Sequence, residues 1–390
     1  MRVDSKNVEE CCGCTACESI CPHDAIRMKA DVLGFLYPQI DETKCVDCSL
    51  CMKVCQFHEG YSRENRWATP EVRAARLRDK QELSRSQSGG AFYGLARKFL
   101  EDGGVVYGAG FVDHFRVVHK RVTTLAALEE LRGSKYVQSD LRGIFPQVKA
   151  DLREGRKVLF SSTPCQVSGL QSYVGKRWTD GLYTVDLVCH GVPSPAVWTD
   201  YVNYIEGKTG EACTAVNFRD KSFGWGTHIE TFEFKRHEKL ASCSWRIMFY
   251  KHLMLRYSCY ACPYTNMNRC SDITVGDFWG WPKLSNAFND NKGVSLVIVN
   301  SDKGKRLLES VADQFFFVQS NPTDCLQPQL QYPAKRNPHR EAFARDYAQH
   351  GFLYVAKRYG DMGWRYKVAK VKEKVRRMAG ALLRRLKLRK

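Results

Sequence analysis

Two stretches decide the reading of this chain: CCGCTACESICP at 11–22 and CVDCSLCMKVCQ at 45–56. Cys11, Cys14, Cys17 and Cys21 follow a C-x2-C-x2-C-x3-C spacing that ends in Pro22. Cys45, Cys48, Cys51 and Cys55 repeat that spacing, with Gln56 where a proline would be usual. The spacing has a physical cause. A tight loop wraps three thiolates around one face of a cubane 4Fe-4S cluster, and the fourth cysteine reaches the other cluster. The runs therefore predict one cluster on Cys11, Cys14, Cys17 and Cys55, and a second on Cys45, Cys48, Cys51 and Cys21. Zinc also binds CxxC pairs, but four cysteines per run in this spacing, twice over, favour iron-sulfur clusters. Cys12 stands beside Cys11, out of register, and reads as a bystander thiol.

Working outward, the 390 residues are 44% hydrophobic and 12% aromatic, enough for a small domain plus a large one, which excludes disordered and collagen-like chains. No run approaches the roughly 18 apolar residues of a spanning helix, and charges and cysteines stand where an export signal would carry its apolar core. The expectation is a cytoplasmic protein whose 17 cysteines serve metal ligation instead of disulfides. Charge is uneven. Residues 1–60 carry a net −4, residues 364–390 a net +11, within an overall +18. An acidic head and a basic tail suggest different partners at the two ends.

The ferredoxin-type repeat is expected to fill 1–57, followed by a polar linker over 58–70 and a large domain over 71–335. In that domain, strand-like runs at 72–77, 105–108, 117–122, 157–160, 182–188, 229–234, 273–276 and 295–300 alternate with helical patterns at 92–100, 125–131, 142–153, 194–206 and 304–314. The alternation predicts an α/β domain with a mixed sheet behind an α+β cluster module. No G-x-G-x-x-G and no G-x-x-x-x-G-K-[ST] occurs, so a standard Rossmann dinucleotide fold and a nucleotide hydrolase are unsupported.

Residues 8–57 resemble the bacterial two-cluster 4Fe-4S ferredoxin. Beyond them, SQSGGAF at 86–92, GSKYVQS at 133–139, TPCQVSGL at 163–170, DLVCHGVPSP at 186–195, FRDKSFGWG at 218–226, CYACPYTNMNRCSDITVGDFWG at 259–280 and KGVSLVIVN at 292–300 resemble the coenzyme F-420 hydrogenase/dehydrogenase beta-subunit family, in that family's order. The resemblance implies FAD held by the α/β domain and an additional 4Fe-4S cluster nearby. For that third cluster the chosen cysteines are Cys165 and Cys189, at predicted strand ends, and the CxxC pair Cys259 and Cys262. Cys270 is the replacement, and Cys213, Cys243 and Cys325 are expected to pack. The residues carried over for FAD are Ser88, Gly89 and Gly90 near phosphate, Ser134 and Lys135 as hydroxyl and cationic partners, and Thr163. His190, Arg219, Lys221 and Asp277 are expected to line a substrate cleft, with ion pairing inside FRDK the competing role for its charges.

The resulting expectation is an iron-sulfur flavoprotein oxidoreductase without an acid/base triad. It would pass electrons between its clusters, a ferredoxin or other redox protein, and a deazaflavin or other small-molecule hydride carrier. The alternative is a non-catalytic subunit that wires a separate catalytic partner. The tail, expected to be helical over 336–390, carries Trp364, Val368, Val371, Val375, Met378, Leu382 and Leu386 at steps of three and four among lysines and arginines. It suits an anionic membrane surface, such as the inner face of the membrane, or a docking partner. A solvated tail is the competing reading, and nucleic acid is disfavoured for want of a recognised module.

Overall fold

The computed structural model describes residues 3–62, 67, 69–364, 366 and 368. The tail stripe from Val371 onward, and part of the expected linker, lie outside the described residues.

The first lobe contains α1 (Ala16–Ile20), the strands β1 (Ile26–Ala30) and β2 (Leu36–Ile40), and α2 (Leu50–Val54). β1 and β2 pair antiparallel. The sequence repeat is also a backbone repeat. Gly13 and Thr15 ahead of α1 have φ of 68° and 68°, and Asp47 and Ser49 ahead of α2 have φ of 52° and 59°. Each left-handed pair turns the loop sharply between cysteines two residues apart, as wrapping a cluster requires. Each short helix ends at its fourth cysteine, where the Cys21 N–H meets Glu18 O and the Cys55 N–H meets Met52 O.

The chain continues through β3 (Glu71–Leu77), α3 (Lys80–Arg85), α4 (Ala91–Glu101), β4 (Val105–Val112), β5 (Arg116–Val122), α5 (Leu125–Leu128), α6 (Ile144–Arg153), β6 (Val158–Ser162), α7 (Pro164–Val174), β7 (Leu182–Leu187) and α8 (Pro195–Thr209). After these come β8 (Ala215–Asn217), β9 (Glu230–Glu233), β10 (Leu240–Ser242), α9 (Ser244–Tyr250), β11 (Ile273–Asp277), β12 (Ser295–Val299), α10 (Asp302–Glu309), β13 (Phe315–Ser320) and α11 (Arg340–Arg358). Eight strands form one sheet in the order β13-β3-β12-β11-β7-β6-β4-β5, and β10-β9-β8 form a small second sheet. β4, β6, β7 and β11 run parallel, and the outer pairings are antiparallel. The sheet is thus mixed, as expected. The interior strands β6 and β12 are buried along their whole length, which is why they read as continuous apolar runs.

The expected helix over 304–314 is shorter: α10 stops at Glu309, and the apolar Phe315–Ser320 adds an edge strand beside β3.

The amino-terminal lobe shares its apolar core with the large domain. Leu33 and Phe35 pack with Trp198 and Trp245, while Ala16 and Val54 pack with Phe145 and Val167. Gly34, with φ of 80°, lies so close to α8 that a Cβ would stand 2.8 Å from the Ala196 nitrogen. Among the described residues, no helix is long and apolar enough to cross a membrane.

Candidate functional site

Cys17 and Cys55 have Cys11 and Cys14 as near neighbours, so the four cysteines expected at the first cluster converge. Burial pushes the Cys17 thiol up, and carries the Cys55 thiol to about 11. Thiols held this way become thiolates when a cation compensates them. Cys21, Cys45, Cys48 and Cys51 line a separate cavity of about 260 Å³. The fourth cysteine of each run therefore sits with the other run. Among the described residues no three His, Cys, Asp or Glu side chains gather tightly enough for one metal ion. Cys21, Cys45, Cys48 and Cys51 instead ring a space, as the ligands of a multi-atom cluster do.

A third cavity, of about 230 Å³, is lined by Cys165, Cys189, Cys259 and Cys262. Cys189 sits just past the end of β7 and Cys165 in the first turn of α7, two neighbouring strand-to-loop exits on one edge of the sheet. The Gly191 and Val192 N–H groups donate to the Cys189 and Cys259 sulfurs at 3.4 Å each. Burial raises Cys189 and Cys262 to about 12, and a donated hydrogen bond from Cys12 leads the causes that lower Cys165 to about 7. Cys270 lies outside the cavity and turns toward Pro164 O at 3.3 Å and Asp186 Oδ2 at 3.8 Å. Cys213, Cys243 and Cys325 sit elsewhere, beside Glu206, Asp361 and Pro322.

One expectation needs correcting. Cys12 lines the third cavity as a fifth thiol and is 4% exposed. Its hydrogen-bond partners include Gln56 and the Cys165 carbonyl, both far away in sequence, so neighbouring residues gave little sign of it.

A cavity of about 330 Å³ opens at the carboxyl ends of β6, β7 and β11, where an open sheet of parallel strands gathers its ligand-binding loops. Ser88, Gly90, Ser134, Lys135 and Thr163 line it, as do His190, Arg219 and Asp277. Gly90, with φ of 83°, caps α4 and turns that helix's N-terminus into the cavity. The small side chains and the positive end of the helix dipole there suit an anionic group. Burial lowers His119 and His190 to about 4, so both rings are neutral at physiological pH.

Two carried-over residues act differently from expectation. Gly89 does not line the cavity; it seats the loop on the sheet, donating to Ser295 Oγ at 2.9 Å where a Cβ would stand 2.1 Å from Ala75 O. Lys221 is also outside it, because its ammonium is held by the carbonyls of Leu83, Ser86 and Ser88 at 2.8, 3.0 and 3.1 Å. Lys135 lines the cavity, yet its Nζ donates to Arg132 O at 2.6 Å, and burial lowers it to about 7. Arg219 pairs with Asp277 and donates to Trp225 O at 2.6 Å, while Trp225 Nε1 donates to Asp277 Oδ1 at 2.8 Å.

The 330 Å³ cavity and the thiol-lined 230 Å³ cavity share one wall. Thr163 and the loop Cys189, His190, Gly191 and Val192 line both.

Sequence reasoning missed Arg256, which is fully buried. Its guanidinium donates to Cys11 O at 2.6 Å, Leu36 O at 2.8 Å, Gln138 Oε1 at 2.9 Å and Cys11 Sγ at 3.4 Å. Its one visible signal was a cation three residues before Cys259.

Residues 155–324 match the family model that describes the C terminus of the coenzyme F420 hydrogenase/dehydrogenase beta subunit, and residues 10–58 match the model of a 4Fe-4S dicluster domain. No curated protein matches the chain. Among solved structures, it is similar to a chain of the F420-reducing [NiFe] hydrogenase complex from Methanosarcina barkeri, with 18% identity and a TM-score of 0.46 over 73% of this chain and 89% of that one. Along its length the chain thus carries a 4Fe-4S dicluster domain over 10–58 and, over 155–324, the C-terminal domain of the coenzyme F420 hydrogenase/dehydrogenase beta subunit.

Proposed function

We propose that this chain is an iron-sulfur flavoprotein oxidoreductase that moves electrons between an organic hydride carrier and an external redox protein. The observation that carries the reading is the shared wall: one loop, 189–192, separates a large cavity fit for an organic cofactor from a cavity ringed by thiols. The large cavity falls within the usual range for ligand sites, roughly 300–1,000 Å³.

FAD bound there would exchange a hydride with an organic substrate and pass electrons singly to a neighbouring cluster. The chain's own residues supply position and exclusion. Gly90 and the first turn of α4, with Ser134 and Thr163, would hold the phosphates. Neutral His119 and His190, their ring nitrogens engaged by Ser139, Ser161, His252 and Gln329, would wall the cofactor without adding charge. Cys165, Cys189, Cys259 and Cys262 would hold the third cluster. Cys11, Cys14, Cys17 and Cys55 would hold the next, and Cys21, Cys45, Cys48 and Cys51 the last. The last site meets solvent, since Cys48 is exposed and Val46 beside it is 60% exposed. A ferredoxin or other redox protein would dock there, and a deazaflavin such as coenzyme F420 is the hydride carrier to try first.

Anaerobic purification with iron, sulfide and flavin quantification tests the proposal. About twelve irons, four per cubane cluster, and one FAD per chain are expected. About eight irons with no flavin after reconstitution would overturn it. Reduction of a low-potential acceptor by reduced deazaflavin with the chain alone would make it catalytic, whereas turnover only with a second protein would make it a wiring subunit.

A further inference from the structure

The mouth of the 330 Å³ cavity carries large aromatic side chains that stay in solvent. Trp279 and Tyr250 line the cavity and are 48% and 49% exposed. An exposed tryptophan gives up much of the burial that its large ring would otherwise contribute to a fold. This one is also held in place. It lies two residues past the end of β11, between Phe278, which is fully buried, and Gly280, where a Cβ would stand 2.2 Å from Asp324 O. The main chain is therefore pinned on both sides of it.

The indole of Trp279 is stacked on that of Trp225, with ring centres 4.7 Å apart and planes 10° from parallel. Trp225 is itself buried, its Nε1–H bonded to Asp277 and its carbonyl to Arg219. The Arg219 guanidinium comes within 5.3 Å of the Trp279 ring centre. With both neighbours in place, about half of Trp279 still meets solvent. One face rests on a buried ring, and the exposed part of the side chain lines the cavity. A flat aromatic surface fixed at a cavity entrance suits the stacking of a second planar ring. Because the surface is already ordered, little conformational entropy is lost when that ring arrives.

We propose that Trp279 is the platform on which the planar ring of the hydride carrier stacks as it enters the cavity, which makes it a specificity-determining residue that favours flat, fused-ring carriers. The inference deepens the reading above and rests on it: the interior of the cavity goes to the flavin and its rim to the carrier.

The test is equilibrium dialysis of oxidised 5-deazariboflavin against the anaerobically prepared, flavin-loaded full chain, with flavin counted in every sample. The samples are wild type, Trp279→Phe, Trp279→Leu and Trp279→Ala. Leucine keeps an apolar cover over Trp225 should alanine unsettle the loop. The expected result is a full complement of FAD in every sample, binding weakened about three- to tenfold in the leucine and alanine variants, and binding close to wild type in Trp279→Phe. Equal binding by Trp279→Leu and wild type would overturn the proposal, because apolar cover without stacking would then suffice. Loss of FAD from the variants would also overturn it, since Trp279 would then belong to the cofactor's own site. A wild-type chain that holds FAD and takes up no deazaflavin would overturn this inference alone. A wild-type chain that holds no FAD after reconstitution would overturn the earlier reading, and this inference with it.

Discussion

Arg256 shows what a single side chain does between two cofactor sites. Its guanidinium is buried against the ring of Tyr37 at 4.1 Å and bonds the main chain of Cys11 and Leu36 and the side chain of Gln138. Arg256→Met would take the donor from one buried acceptor, Gln138 Oε1, and from the half-buried carbonyls of Cys11 and Leu36, at about 1–3 kcal/mol for each acceptor left unsatisfied. The expected outcome is a loss of at least about 1 kcal/mol, read as a fall in the thermal midpoint of the anaerobically prepared chain. The ligand thiols give a sharper residue-level prediction. Cys189→Ser is expected to remove about four irons and leave the two ferredoxin-type clusters spectroscopically unchanged. An unchanged iron count would exclude Cys189 as a ligand.

At the scale of elements, α7 carries a glycine with a diagnostic sign. In an ordinary helix interior, glycine to alanine stabilises by about 0.5–1 kcal/mol. A Cβ on Gly169 would stand 2.7 Å from Cys14 Sγ. Gly169→Ala is therefore expected to destabilise the chain and displace a ligand of the first cluster, seen as a lowered thermal midpoint with loss of that cluster's resonance signal. The packing of β9 against α9 supplies a pH dependence. Glu230 on β9 is fully buried and accepts the Arg246 N–H at 2.7 Å, and burial raises its carboxyl to about 8. An unfolded glutamate has a pKa of about 4.3. Between these values the folded chain holds a proton that the unfolded chain releases, so this contribution to stability is present at low pH and lost as pH rises through about 8. Glu230→Gln should flatten that decline in unfolding measurements across the window, and an unchanged slope would refute the assignment.

Reading these elements from sequence succeeded where the signal was local. The C-x2-C-x2-C-x3-C runs announce their loops because ligand spacing is a short-range constraint, and β6, β7, β11 and β12 announce themselves as apolar runs buried in a sheet. β13 went unassigned because its FFFV run follows α10 without a clear stop. The place of Cys12 and the role of Arg256 were not legible, because their contacts join residues more than a hundred positions apart: Cys12 with Cys165, and Arg256 with Cys11. Lys221 misled for a related reason. A lysine in a loop carries no mark that it will be absorbed by the carbonyls of a distant segment.

At the scale of the whole molecule, the cluster lobe is a built-in part of the large domain. Leu33 and Phe35 complete a core made largely from α8, α9 and α11, and Cys14 belongs to the core under α6 and α7. Limited proteolysis between 58 and 70 is accordingly expected to nick the chain without releasing the lobe, so that both fragments co-elute on gel filtration until denatured. Separation under native conditions would show an independent module instead.

The wall between the two cavities also limits how the protein can vary. Thr163 and the loop 189–192 face the organic pocket and the thiol pocket together, so a substitution there that reshapes one chamber alters the other. Changes confined to Ser134, Arg219 and Trp279, which line the first of these cavities and not the second, would escape that coupling.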